Sequence, residues 1–364
     1  MWSAVSKREA RPVISDVRQI TADWLEDALR RAGALRTGRV RDVAFEADKS
    51  AWSRIVRLRA RYAGADAAAP AALVLKICAG DDAVFGPSEV HYYTRDYADL
   101  ADAPIPRCYD AQFSDTPRAY HILMDDLSAT HDNTWERPPT LERGCAAATA
   151  LAALHAHWWG RKRLRILGSD LPRRGDIDRY IGHIERGLTP LLAALGDGLD
   201  ARWRAALHEI FAHHPACMIE RTRDAAGFAL VHDDVNPGNI LAPLDGEGAV
   251  YLVDRQPFDW SLTVWLAVSD LAYMMVHWWD TDLRRQWERP ILQHYHGQLT
   301  RRGIGGYSWE QLLLDYRLAA VQSVYVAVEW CVLESDRTKM RWLWEPQLQK
   351  AMTAFFDLRC ADLW

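Results

Sequence analysis

The chain has 364 residues, 49% of them hydrophobic and 26% charged, with a formal net charge of -5 at pH 7. That length exceeds what one simple core needs and suits two lobes. The acidic balance speaks against a nucleic-acid partner, which calls for a basic excess, and the longest apolar run, Leu262 to Met275, is broken by Ser269 and Asp270 well short of the roughly 18 residues of a membrane span. Charged residues follow Met1-Trp2-Ser3-Ala4-Val5 without an apolar segment, so no secretory leader is expected. Cys78, Cys108, Cys145, Cys217, Cys331 and Cys360 form no CxxC pair. They read as free thiols of a reducing compartment, and a cytoplasmic location is expected.

Taken in chain order, the first half is rich in strands. Residues Ile20 to Ala34 carry Trp24, Leu25, Ala28 and Leu29 at helical spacing, ended by Gly33. Val40 to Phe45 predicts a strand. Ile55 to Tyr62 alternates, with Arg57, Arg59 and Arg61 on one face, and predicts a half-buried strand. A loop of small residues, Gly64 to Pro70, leads to a third strand, Ala71 to Ile77, apolar except for Lys76. Pro87 and Ser88 open a helix expected over Glu89 to Leu100, and a strand pair is expected around Arg107 to Phe113 and Arg118 to Met124.

After Asp126 helical patterns dominate. Helices are expected over Leu141 to Trp159, Asp176 to Leu195 and Leu199 to His213, and again from Val264 to the end. One hairpin interrupts them: Ile240 to Leu244, the turn Asp245-Gly246-Glu247-Gly248, and Val250 to Val253. The 17 tryptophans include the pairs Trp158-Trp159 and Trp278-Trp279. Most read as large core residues, and an aromatic substrate wall is the other reading.

The chemistry concentrates in Val231-His232-Asp233-Asp234-Val235-Asn236-Pro237-Gly238-Asn239. Phosphoryl transfer needs a carboxylate that holds the attacking hydroxyl and takes its proton, and an amide oxygen nearby for the metal that bridges the phosphates. Asp234 and Asn239 have the spacing for these catalytic roles. A hairpin follows, then Tyr251-Leu252-Val253 ending in Asp254, a second carboxylate arriving at a strand tip as an Mg²⁺ site requires. The bland alternative is an Asp and an Asn that satisfy turn backbones. Upstream, Lys76 is costly in an apolar strand unless paired. Glu89 on the following helix is its expected partner, against the alternative of a snorkelling Lys76 and a capping Glu89.

The order Lys76, Glu89, His232-x-Asp234-x4-Asn239 and Asp254 resembles the aminoglycoside phosphotransferase and choline kinase group of small-molecule kinases. Leu151 to Trp158, Asp270-Leu271-Ala272 and Ile122 to Leu127 add weaker matches, and features of the ecdysteroid-kinase-like branch are present. The resemblance runs from about Val40 to His277. It implies an α+β, bilobal protein-kinase-like fold: a small antiparallel-sheet lobe with one helix over 1–124 and a larger, mainly helical lobe over 125–364. It implies Asp234 as catalytic carboxylate, Asn239 and Asp254 on Mg²⁺, Lys76 on the phosphates of ATP or GTP with Glu89 behind it, and Met124, Asp125 and Leu127 along the base. His232 orders the loop, and Asp270 accepts backbone hydrogen bonds from it.

There are departures from that pattern. The phosphate-covering loop Asp48-Lys49-Ser50-Ala51-Trp52-Ser53-Arg54 has no glycine, leaving Ser50, Ser53 and the backbone to touch phosphate. Asp259-Trp260 competes with Asp254 as the metal motif, and Asp254 is preferred because it follows the strand directly. Asp233 adds a third carboxylate, able to attract a cation. The acceptor is expected to be a small hydroxylated molecule, such as an aminated sugar or another natural-product antibiotic. It would lie against Asp259, Trp260, Trp278, Trp279, Asp280, Glu329 and Trp330. The protein is expected as monomer or homodimer. A non-catalytic binder on the same fold is the alternative; a protein kinase is disfavoured, since no A-P-E-like segment follows Asp254.

Overall fold

The computed structural model describes residues 11–49, 53–66, 68–79, 85–256, 258 and 260–364. It divides into two compact units. One comprises Met1–Asp99, Ile105–Ala129 and Pro257–Asp259; the other comprises Leu100–Pro104, Thr130–Gln256 and Trp260–Trp364.

The first unit opens with α1 (Ala22–Arg31), capped by the Thr21 hydroxyl, which accepts from the Trp24 amide. An antiparallel sheet follows: β1 (Arg39–Lys49), β2 (Arg54–Ala63), β3 (Ala72–Ala79), β4 (Cys108–Asp115) and β5 (Arg118–Asp125), in the order β1-β2-β3-β5-β4. The alternation in β2 is realised: Val56, Leu58 and Ala60 are buried while Arg57, Arg59 and Arg61 face solvent. Leu25, Ala28 and Leu29 of α1 join Val56, Leu58, Leu73, Leu75 and Leu123 of the sheet in one core. Burying each such leucine contributes about 1.5–3 kcal/mol. The expected long helix after Pro87 is instead α2 (Ser88–His91), followed by a wide turn of π geometry over Tyr92–Asp96. Its rings pack edge to face, Tyr92 with Tyr93 at 5.0 Å and with Tyr97 at 5.4 Å.

The second unit is mainly helical. It contains β6 (His131–Asn133), α3 (Leu141–His157), α4 (Gly160–Ile166), α5 (Arg174–Glu185), α6 (Leu188–Leu195), α7 (Ala201–Arg221) and β7 (Phe228–Leu230). Then come β8 (Ile240–Pro243), β9 (Tyr251–Leu252), β10 (Val264–Leu266) and α8 (Ser269–Ala272), which runs on as a π segment over Tyr273–Trp278. The chain ends in α9 (Thr281–Arg301), α10 (Trp309–Glu329), α11 (Glu334–Lys339) and α12 (Arg341–Asp357). No helix among the described residues is long and apolar enough to cross a membrane.

Three boundaries differ from expectation. The segment 176–195 is two helices, because a Cβ on Gly187 would sit 2.1 Å from the Val328 carbonyl oxygen of α10; the chain turns where α10 approaches closest. Helix α7 runs through Pro215 to Arg221, since its buried face of Ile210, Phe211, His214 and Met218 outweighs one missing backbone bond. Residues Val264 to Leu266 pair with Leu230 to Phe228 instead of starting a helix; an apolar triplet suits either state until a partner strand is present.

Helix α10 is buried along most of its length, Leu318 to Tyr325 without interruption, and its buried polar side chains are paired. Arg221 grips Asp315 through Nε at 2.6 Å and Nη2 at 2.8 Å, and Tyr307 and Gln311 complete that carboxylate. Gly227, at φ +91°, lies under this pair: a Cβ there would meet Asp315 Oδ2 at 2.4 Å. Of the tryptophans, Trp158, Trp265, Trp279 and Trp344 are buried, while Trp135 and Trp342 are exposed. All six cysteines are free.

His214 sits between α7 and α10, its Nδ1 2.8 Å from the Tyr325 hydroxyl and its Nε2 3.1 Å from the Leu318 carbonyl. Burial lowers its pKa from 6.5 to about 4. The unfolded chain therefore takes up a proton below pH 6.5 that the fold refuses until about pH 4, and stability falls across that window. Near pH 5, His214→Gln is expected to flatten the slope of unfolding free energy against pH by about 1.4 kcal/mol per unit. Denaturant unfolding across pH 4–7 measures it, and an unchanged slope contradicts the assignment.

Candidate active site

Strand β7 feeds directly into the loop that carries His232, Asp233 and Asp234. Asp270, one residue into α8, fixes that loop. Its Oδ2 accepts from the His232 amide at 2.8 Å, and its Oδ1 accepts from the Asp233 amide at 2.7 Å. His155 of α3 bonds to Oδ2 through Nε2 at 2.9 Å, and Tyr295 of α9 bonds to the other ring nitrogen at 2.8 Å. Burial works to raise the Asp270 pKa, but the hydrogen bonds from the His155 ring and the His232 amide hold it below the usual carboxylate value. His232 is buried, and burial pulls its pKa down to about 4, so the imidazole is neutral at pH 7.

Asp234 is gripped by three side chains. Asn236 donates to Oδ1 at 2.9 Å, Tyr273 donates to Oδ1 at 3.1 Å, and Asn239 donates to Oδ2 at 3.0 Å. Burial raises its pKa to about 6; the bond from Asn236 opposes the rise and the charge of Asp254 adds to it. The hairpin brings Asp254 here: Ile240 pairs with Leu252, the Val253 amide donates to the Asn239 carbonyl at 3.0 Å, and the Asn239 amide reaches the Asp254 carbonyl at 3.4 Å. Asp233 and Asp254 both sit at positive φ, 64° and 60°. Asp tolerates that region better than most residues but at a cost, and two such residues, one before and one after the β8–β9 hairpin, mark a constrained site.

Asp233 turns away from Asp234's partners. Ser261 donates to its Oδ2 at 2.6 Å, a contact that follows from the β7–β10 ladder. Burial pushes the Asp233 pKa up to about 7, the Ser261 bond opposes this, and the charges of Asp270 and Asp234 add to it. Beside this lies an aromatic group. Trp260 stacks on His183 at 4.6 Å and on Tyr180 at 6.3 Å, and His183 Nε2 is 3.7 Å from Glu329 Oε1.

In the first unit, Lys76 Nζ lies 2.9 Å from both oxygens of Glu89, and both residues are buried. The Tyr120 hydroxyl also donates to Glu89. Met124 is buried in β5; Asp125 at its end accepts from the Tyr109 hydroxyl at 2.5 Å; Leu127 and Ser53 belong to the same unit.

Of the expected acceptor residues, Trp260 and Glu329 share the His183 group. Trp278 does not join it: its ring lies 5.3 Å from Trp135 and 6.3 Å from Tyr273. Trp279 is buried against Trp287, Asp280 is exposed at the start of α9, and Trp330 caps the end of α10. Ser50 and Asp259 lie outside the described residues. Sequence reading missed Tyr273, Asn236, Ser261 and His183. Tyr273 directly follows Asp270-Leu271-Ala272, the one signal that could have drawn attention to it.

No protein-family model and no curated protein matches the chain. Solved structures do. The GDP complex of aminoglycoside 2'-phosphotransferase-IIIa aligns with a TM-score of 0.50 at 11% identity, over 92% of this chain and 99% of its own. The chain has the protein-kinase-like fold of the aminoglycoside phosphotransferases. Spectinomycin phosphotransferase, solved with ADP and spectinomycin, aligns at 0.47 and 13% identity over 92% and 99% of the two chains. A related phosphotransferase solved with GDP and kanamycin aligns at 0.48 and 11% over 87% and 94%.

Asp270→Asn would turn an amide nitrogen toward a backbone N–H that needs an acceptor. A loss of about 2–4 kcal/mol in stability is expected. Thermal unfolding of the variant checks it; a melting point within a degree of the parent would contradict this account.

Proposed function

We propose that the protein is a small-molecule kinase that moves the γ-phosphate of ATP or GTP onto an acceptor hydroxyl. The observation that carries this reading is Asp234: a half-buried carboxylate, aimed by Asn236, Asn239 and Tyr273, with its basicity raised beside a second carboxylate. A general base works best when its pKa approaches the working pH. In the reaction the acceptor hydroxyl rests on Asp234, its oxygen bonds to the γ-phosphorus as the bond to the β-phosphate oxygen breaks, its proton passes to the Asp234 carboxylate, and the nucleoside diphosphate leaves.

Lys76, held by Glu89, supplies the cation for the donor's phosphates, with Ser53 and Ser50 of the segment 48–54 as further phosphate contacts and Met124, Asp125 and Leu127 along the base. The first lobe thus binds nucleotide and the helical lobe carries the chemistry. The donor set fits Mg²⁺. Asn239 Nδ2 is engaged with Asp234, leaving its Oδ1 as a hard ligand, and Asp254 supplies a carboxylate. Among the described residues no three His, Cys, Asp or Glu side chains gather into a full cage. That suits an ion completed by phosphates and water. When bound, Mg²⁺ neutralises charge on the phosphates.

The acceptor reading rests on Asp233 with Ser261 and on Trp260 with Glu329. Carboxylates and an indole face suit an amine-bearing polyol, such as an aminoglycoside-like antibiotic. The glycine-free loop at 48–54 favours a second reading, a kinase-like protein that binds nucleotide without transfer.

Asp234→Asn is expected to lower turnover by about 10²- to 10⁴-fold with nucleotide affinity held, and Asp254→Ala to weaken Mg²⁺–nucleotide binding. A coupled transfer assay with ATP and GTP against aminoglycosides, choline-like amines, sugars and nucleosides provides the readout. Full activity in Asp234→Asn would sink the assignment; nucleotide binding with no transfer to any acceptor would favour the binding protein.

A further inference from the structure

A cavity of about 390 Å³ lies within the second unit. Asp234, Asn239 and Asp254 do not line it; Pro237, Ile240 and the β8–β9 turn do. Three indoles form its apolar wall: Trp135, Trp278 and Trp279. Trp135 and Trp278 meet at 5.3 Å with their planes at 59°, a tilted contact rather than a parallel stack, so the aromatic slot of the cavity runs along this pair and not between the rings. Trp135 is 52% exposed, more than a ring serving only the core would be.

The charges around this wall are unequal. Arg137 and Arg143 line the cavity and are half-buried, whereas Glu142 and Asp245 stand exposed at its rim. Each guanidinium makes a single side-chain bond, Arg137 Nη1 to the Pro243 carbonyl at 3.3 Å and Arg143 Nη1 to the Pro138 carbonyl at 2.6 Å. Among the described residues neither has a carboxylate partner. A guanidinium carries five donors in a fixed fork that fits a carboxylate. Two partly desolvated forks beside an aromatic slot are a recognition pattern, and structural salt bridges do not use them up.

We infer that this cavity binds a planar aromatic acid of one or two rings. The ring system lies against Trp135 and Trp278, and its carboxylate is held by Arg137 and Arg143. The volume falls in the range of small-ligand sites, aromatic rings add to affinity beyond the area they bury, and bidentate guanidinium bonds are the stronger ones. The inference does not depend on the phosphotransfer reading, because it concerns binding to residues outside the catalytic set.

The test is isothermal titration calorimetry of the full chain with indole-3-acetate. This probe has no alcohol hydroxyl to be phosphorylated. Tryptamine carries the same ring with a cation, and acetate carries the head alone. Indole-3-acetate is expected to bind, with tryptamine and acetate at least about tenfold weaker. Arg137→Met and Arg143→Met keep the stems that pack and lose the charge; each is expected to weaken binding by about tenfold or more. Trp135→Ala, at an exposed ring, is expected to do likewise with its melting point unchanged. Absence of binding, equal affinity for tryptamine, or folded arginine variants that bind as the parent does would each overturn the proposal. If an arginine variant fails to fold, the comparison of indole-3-acetate with tryptamine on the parent still decides.

Discussion

The Asp270 carboxylate holds the loop that follows β7 in place. A loop that places Asp233 and Asp234 side by side, the first of them at positive φ, has no tendency of its own to stay put. Asp270 offers one oxygen to each of two successive amides, His232 and Asp233, and is itself held by His155. Loop, α8 and α3 thereby share one buried charge. Removing any of the three partners leaves a desolvated group unpaired, which is why such an arrangement is all-or-none. The π segment that continues α8 then swings Tyr273 to within 3.1 Å of Asp234. The anchor of the loop and the aiming of the carboxylate are thus set by neighbouring turns of a single element.

The same site is a deliberate concentration of negative charge. Asp233 and Asp234 are both pushed toward neutrality by burial, and each is pushed further by carboxylates nearby. No fold gains stability from this. The cost is offset locally by hydroxyl and amide donors: Ser261 on Asp233, and Asn236, Asn239 and Tyr273 on Asp234. These are neutral donors, so they add no positive charge to the site.

Much of this was legible because the relevant contacts are local or chemically loud. Asn239 lies five residues from Asp234, and a tight hairpin returns Asp254 to the same place, so spacing and turn residues sufficed. Lys76 announced itself as a charge in an apolar strand, and its bond to Glu89 is formed. The five-stranded sheet followed from alternation and turn chemistry. What was not legible depends on tertiary neighbours. The break at Gly187 is dictated by a carbonyl of α10 some 140 positions later. Ser261 reaches Asp233 only through a three-residue ladder that looked helical. Trp278 and Trp260 read alike in sequence, yet one lines the aromatic slot and the other stacks on His183.

The cysteines have a consequence of a different kind. Burial lifts the thiols of Cys108, Cys331 and Cys360 to about 12, and it raises those of Cys145 and Cys217 as well. At pH 7 a thiol at that value is ionised in about one molecule in 10⁵, and only the thiolate attacks an electrophile. In the folded protein Cys108, Cys331 and Cys360 are therefore nearly silent toward electrophiles. A single cysteine engineered onto the surface would take up a spin label or fluorophore far ahead of these three, so they need not be removed before distances in the molecule are followed in solution.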